Sequence, residues 1–107
     1  MTAPRVELLW WEGCPSTGKA RDLLAEALAE HGFDPSLIEM REIETDADAE
    51  RERFVGSPTI RVGGVEVAPE VGEPVGLTCR VYRTRDGRTS PVPDPRDINE
   101  AIEEATR

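Results

Sequence analysis

The sequence predicts an α/β fold of one domain, residues 1–107, with a four-stranded mixed sheet flanked by helices and an insert before the last helix. Three observations predict it. The apolar run Val6-Glu7-Leu8-Leu9-Trp10-Trp11 passes into a helical pattern just after Pro15. Ser57-Pro58 then opens two short β-like runs joined by Gly63-Gly64, and Asp94-Pro95 starts a closing helix. At 107 residues the chain has room for one modest core and not for two domains.

Residues 5–11 read as a buried central strand, short, apolar and bounded by Gly13. Over residues 15–31, Ala20, Leu23, Leu24, Ala27 and Leu28 recur at helical spacing, so this helix turns one face inward. Gly32 suits the position just past the helix, and His31, the only histidine, suits a cap at its electronegative end. Residues 37–43 alternate as a second strand. Thr45 and Asp48 resemble a capping box opening a short polar helix that ends near Arg53. Residues 59–62 and 65–68 form a hairpin, with Gly63-Gly64 supplying the positive φ angles of a primed turn. Residues 69–76 are a loop rich in Pro, Gly and Glu, residues 79–83 alternate as a strand, and Asp86-Gly87 marks a turn. Asp94 caps the last helix with Pro95 in its first position, and Ile98, Ala101, Ile102 and Ala105 make its buried stripe.

A right-handed helical crossover makes the first two strands parallel. The hairpin then sets residues 65–68 parallel to the first strand, so their C-terminal end reaches the rim where Cys14 lies.

Charge narrows the function. Thirteen Lys and Arg against 22 Asp and Glu leave a formal charge of −9. Nucleic-acid binding needs clustered basic residues to neutralise phosphates, so it is excluded as an expectation. The acidic excess serves solubility. No apolar stretch approaches the roughly 18 residues of a membrane span. Residues 1–5 show no signal-peptide pattern, so the expected compartment is the cytoplasm, where cysteines stay reduced unless they do redox chemistry.

The two cysteines, Cys14 and Cys79, fit neither a disulfide framework nor a zinc-ribbon spacing. Cys14 stands where the first strand hands over to the first helix, and the free N–H groups of a helix start favour a thiolate. The stretch Gly13-Cys14-Pro15-Ser16-Thr17-Gly18-Lys19-Ala20 is one residue short of a phosphate-binding loop, with Ala20 where a Mg²⁺-binding hydroxyl would stand. What survives of that motif is the anion affinity of a helix N-terminus.

The order strand, helix, strand, short helix, hairpin, insert, helix, with Cys14 after the first strand and Pro58 opening the hairpin, resembles the thioredoxin and glutaredoxin fold. The resemblance covers about residues 5–68 and 94–105. Gly13-Cys14-Pro15 and Gly76-Leu77-Thr78-Cys79-Arg80-Val81-Tyr82 are similar to stretches of small bacterial thioredoxin-like proteins, some of which are labelled alkylmercury lyase. The resemblance implies a thioredoxin-like fold, Cys14 as the nucleophile and Pro58 as a cis-proline beside it. It also implies that Ser57 offers backbone atoms to a bound peptide or glutathione. Thr17 departs from the pattern, standing where a dithiol enzyme has its second cysteine, so Cys14-Pro15-Ser16-Thr17 cannot close a local disulfide.

Two residues have competing readings. The Thr17 hydroxyl either donates to the Cys14 thiolate or caps the first helical turn. Cys79 either resolves an intermediate on Cys14 or packs as a core cysteine. Lys19 reads as a solvated surface residue, and Trp10 and Trp11 as packing residues.

The leading expectation is a thiol–disulfide oxidoreductase using Cys14, Thr17 and Cys79, with Ser57 and Pro58 shaping the substrate groove. Its partner would be a disulfide-containing protein or a low-molecular-weight thiol, with no cofactor and no bound metal. Two alternatives accompany it. One is a non-catalytic thioredoxin-like binding module. The other is a soft-metal or organomercurial-handling protein, in which two thiolates hold the metal and Asp86 or Glu12 supplies an acid.

Overall fold

The structure, a computed structural model, describes residues 3–70 and 72–107. Met1 and Thr2 of the expected leaderless start, and Val71 of the expected 69–76 loop, lie outside the described residues.

The central strand forms as β1, Val6–Trp10, buried along almost its whole length. The first helix, α1, runs Thr17–Glu30 and carries the chain back so that β2, Ile38–Glu42, lies parallel to β1. The polar helix α2, Asp46–Glu52, precedes β3, Thr59–Val62, which returns antiparallel on the other side of β1. A tight turn leads to β4, Val65–Glu66, antiparallel to β3. The sheet order is therefore β2-β1-β3-β4, four strands and mixed in direction. Gly63 and Gly64 take φ values of 62° and 80°, the left-handed pair a two-residue primed turn requires.

Alternation along β1 divides the interior in two. Val6 and Leu8 face α1 and the last helix, α3 (Pro95–Ala105), joining Leu24, Leu28, Ile98 and Ile102. Leu9 faces the opposite side and packs with Ile43, Ala49 and Phe54 around α2. Glu7 also points to that side, where Arg41 meets it at 2.6 Å and reaches Glu52 at 2.6 Å. A buried carboxylate in mid-sheet is tolerable because it is paired in this way.

Several expectations change at the element ends. The helix expected from residue 15 begins at Thr17 with Ser16 as N-cap, which makes no side-chain capping bond. β4 is shorter than residues 65–68: Ala68 adopts a φ of 52°, left-handed backbone that ends a strand, although Val67 N still donates to Ile60 O at 2.8 Å. Within residues 79–83, only β5, Tyr82–Arg83, is regular strand. It pairs with β6, Thr89–Ser90, which the sequence reading did not contain. Cys79 makes a single parallel bridge to Ser57 instead. On α3, Ile98 and Ile102 are buried, but Ala105 is exposed because the helix end runs past the core.

His31 caps α1 as expected, and its ring also bonds Asn99 Oδ1 at 3.1 Å, tying α1 to α3. Among the described residues, no helix is long and apolar enough to cross a membrane.

Asp94 holds the start of α3. It is buried, and its carboxylate accepts from Arg96 N at 2.9 Å and from Arg85 N at 2.9 Å. The Arg96 side chain, then these backbone bonds, hold its carboxyl well below the usual range. Such a carboxylate adds stability above its unfolded pKa of about 4, and the contribution fades as the pH falls toward the folded value. Asp94→Ala should cost about 1 kcal/mol or more at pH 7. Urea unfolding of both proteins should show that gap narrowing progressively below about pH 4.

Candidate functional site

The candidate site sits at the C-terminal end of β1, where the chain turns through residues 11–14 into α1. Cys14 N donates to Trp11 O at 3.1 Å, which closes the turn. Trp11 folds its ring over Gly13: a Cβ there would lie 2.0 Å from Trp11 Cη2, so any other residue would push the indole aside. Cys14 is 9% exposed, whereas Cys79 is exposed rather than packed in the core, and both are free thiols.

Cys79 reaches this rim because residues 78–80 pair with Ser57. Ser57 N donates to Thr78 O at 2.8 Å, and Arg80 N donates to Ser57 O at 2.9 Å. Thr78 O also accepts from Trp11 Nε1 at 3.0 Å, and just before it Gly76 N donates to Phe54 O at 3.0 Å. The approach of the two segments is close. Gly56 has a φ of 140°, and a Cβ on it would lie 2.7 Å from Arg80 Cγ.

Beyond Cys79, two side chains anchor the segment. The Arg80 side chain is only 2% exposed; Nη1 meets Glu66 Oε1 at 2.5 Å and Nη2 donates to Ala68 O at 2.6 Å. Its guanidinium carbon lies 4.2 Å from the centroid of the Tyr82 ring. The buried Tyr82 hydroxyl donates to Pro58 O, and burial pushes the phenol far above its usual range. The Ser57-Pro58 peptide bond is cis.

The electrostatics join the two cysteines. The Cys79 thiol is pushed up, first by burial and then by the neighbouring Cys14 thiol. The two thiols come from distant parts of the chain, and both are free.

Cys14, Cys79, Ser57 and Pro58 thus come together as a constellation. Thr17 lies beside it, but its buried hydroxyl has no hydrogen-bond partner, so it neither caps α1 nor donates to Cys14. Lys19 is exposed, and Ala20 is fully buried in the core. Glu12 borders a cleft of about 530 Å³ with Trp11 and Leu77. Asp86 lies in the β5–β6 turn, bonded to the Thr84 hydroxyl and to Arg88. Among the described residues, no group of three or more His, Cys, Asp or Glu is placed to hold a metal ion.

Sequence reasoning missed Trp11, Arg80 and Tyr82 as anchors of the rim. A signal for the last two was present: alternation over residues 79–83 puts Arg80 and Tyr82 on one face, opposite Cys79. Compared with family models, curated proteins and solved structures, the chain matches none.

Two outcomes follow from this geometry. In Cys14→Ser the charge acting on Cys79 is gone, so alkylation of Cys79 across a pH series, read by mass spectrometry, should show its midpoint at lower pH than in the parent protein. Tyr82→Phe removes a buried bond to Pro58 O and should cost about 1 kcal/mol in urea unfolding at pH 7.

Proposed function

We propose that the chain is a thioredoxin-like thiol–disulfide oxidoreductase in which Cys14 is the nucleophile and Cys79 the resolving thiol. The observation that carries this reading is the backbone pairing that pins Cys79 to Ser57, beside the cis-proline Pro58 and at the rim where Cys14 precedes α1. Placing a cysteine after β1, next to a cis-proline that opens an antiparallel hairpin, supports the thioredoxin-like assignment. A reducing compartment such as the cytoplasm suits a pair that rests as free thiols.

The chemistry balances as follows. The Cys14 thiolate attacks one sulfur of a disulfide RSSR, the S–S bond breaks and RS⁻ departs. RS⁻ takes the proton from the Cys79 thiol and leaves as RSH. The new Cys79 thiolate attacks Cys14 Sγ, expelling the second RS⁻ and closing the Cys14–Cys79 disulfide. Two electrons pass from the thiol pair to RSSR. Two equivalents of a low-molecular-weight thiol return the pair to its reduced state by the reverse exchange.

Thr17 enters this scheme as a spacer. Without a thiol three residues after Cys14, the resolving sulfur must come from the distant segment, and the pairing at Ser57 brings it.

Disulfide reduction driven by a thiol donor should fall by roughly a thousandfold or more in Cys14→Ser. Cys79→Ser should instead accumulate a mixed disulfide on Cys14, visible as a mass adduct. Undiminished turnover in Cys14→Ser would remove the cysteine from the chemistry and the proposal with it.

A further inference from the structure

We infer that the disulfide handled at Cys14 is a low-molecular-weight one, taken into the cleft beside Cys79, because the chain's own residues 78–80 fill the backbone edge an extended peptide would need. This rests on the thiol–disulfide reading above and names its substrate class.

A peptide can add to the end of a strand only through a free N–H and a free C=O on that strand. At Ser57 both are committed, to Thr78 O at 2.8 Å and to Arg80 N at 2.9 Å. A competing peptide would also have to break the Trp11 Nε1 bond to Thr78 O and draw the buried Arg80 guanidinium from Glu66 and Ala68 O. The segment cannot shift inward to make room, because Gly56 already lies against Arg80 so closely that a Cβ would meet its Cγ at 2.7 Å. The protein thus carries its own strand where a substrate strand would go, with Cys79 where a substrate cysteine would be.

What stays open is small. A cleft of about 330 Å³ is bordered by Pro15, Ser16, Cys79, Val81, Ser90 and Pro91. That is near the lower end of small-ligand pockets, about 300–1,000 Å³. Pro15, Val81 and Pro91 give it apolar walls, and Val81 is 62% exposed, so a wall of the cleft faces the solvent. Cys79 lines this cleft, and Pro15 and Ser16, which directly follow Cys14, form its other border, so a compact disulfide seated here touches Cys79 and meets the chain one residue from Cys14.

The test traps Cys14 in Cys79→Ser, which keeps the backbone pairing at Ser57 but cannot resolve the adduct. Two reagents share one leaving group: bis(2-hydroxyethyl) disulfide, and a short unstructured cysteine peptide activated as its disulfide with 2-mercaptoethanol. Rates of adduct formation on Cys14 are followed by mass spectrometry. The peptide should react roughly a hundredfold more slowly, the weight of displacing two or three hydrogen bonds. Adding Glu66→Gln weakens the hold on Arg80, so the peptide's rate relative to the small disulfide should rise.

Equal rates in Cys79→Ser would overturn the inference and leave the oxidoreductase reading standing. No Cys14 adduct from either reagent would overturn that reading and the inference together. Should the double variant fail to fold, amide hydrogen exchange in the unaltered reduced protein serves in its place. Ser57 and Arg80 amides should exchange as slowly as those of β1, and exchange at the rate of open loops would show the edge to be free and overturn the inference.

Discussion

Two backbone hydrogen bonds at Ser57, one given to Thr78 O and one received from Arg80 N, set the position of everything at the cysteine end of the molecule. They bring Cys79 across to Cys14, place Thr78 O over the Trp11 indole and set Tyr82 under Pro58 O. Each bond is worth only about 1 kcal/mol net, but a buried backbone group left without a partner costs about 1–3 kcal/mol. The pairing therefore persists less for what it adds than for what its loss would leave unmet. The sheet keeps its far side rigid: Ser57 leads into β3, which is held between β1 and β4.

The two faces of that sheet do different work. On the α1 and α3 side the interior is aliphatic, from Leu8 and Ile60 to Ile98 and Ile102, and holds the start of α1 at a constant height behind Cys14. On the α2 side the apolar cluster is small and is completed by ions, with Arg41 between Glu7 and Glu52, and Arg61 also on Glu52. Arg41 and Glu52 have their pKa values moved apart, Arg41 up chiefly through its bond to Glu7 and Glu52 down through Arg41 and Arg61 against the opposing effect of burial. Such a network orients more than it stabilises, since desolvation consumes much of the Coulomb gain.

Much of the framework was legible because it rests on local rules. The spacing of Ala20, Leu24, Ala27 and Leu28 names the inner face of α1, Gly63-Gly64 names the hairpin turn, and Thr45 and Asp94 name two helix starts that the structure bears out with capping bonds. The place of Cys14 between β1 and α1 was legible in the same way, whereas the cis form of the Ser57-Pro58 bond was implied by the resemblance alone. What could not be read was the path of residues 76–83. An alternating pattern says which residues share a face, but not which edge the segment will meet. Here it divides between a lone bridge at Ser57 and a small hairpin with β6. Thr17 shows the opposite limit: a residue at the right spacing for a hydroxyl–thiolate bond, left without a partner by the start of α1 at its own position.

Arg80 gives the rim a mechanical character. Its guanidinium is enclosed, satisfied on one side by Glu66 and on another by Ala68 O, while Nε has no hydrogen-bond partner. A cation so placed has two comfortable states, fully seated or fully hydrated. Every position between them leaves a charge partly desolvated and partly unpaired, which is costly. The segment it anchors is therefore tied down by one enclosed charge as well as by its backbone bonds.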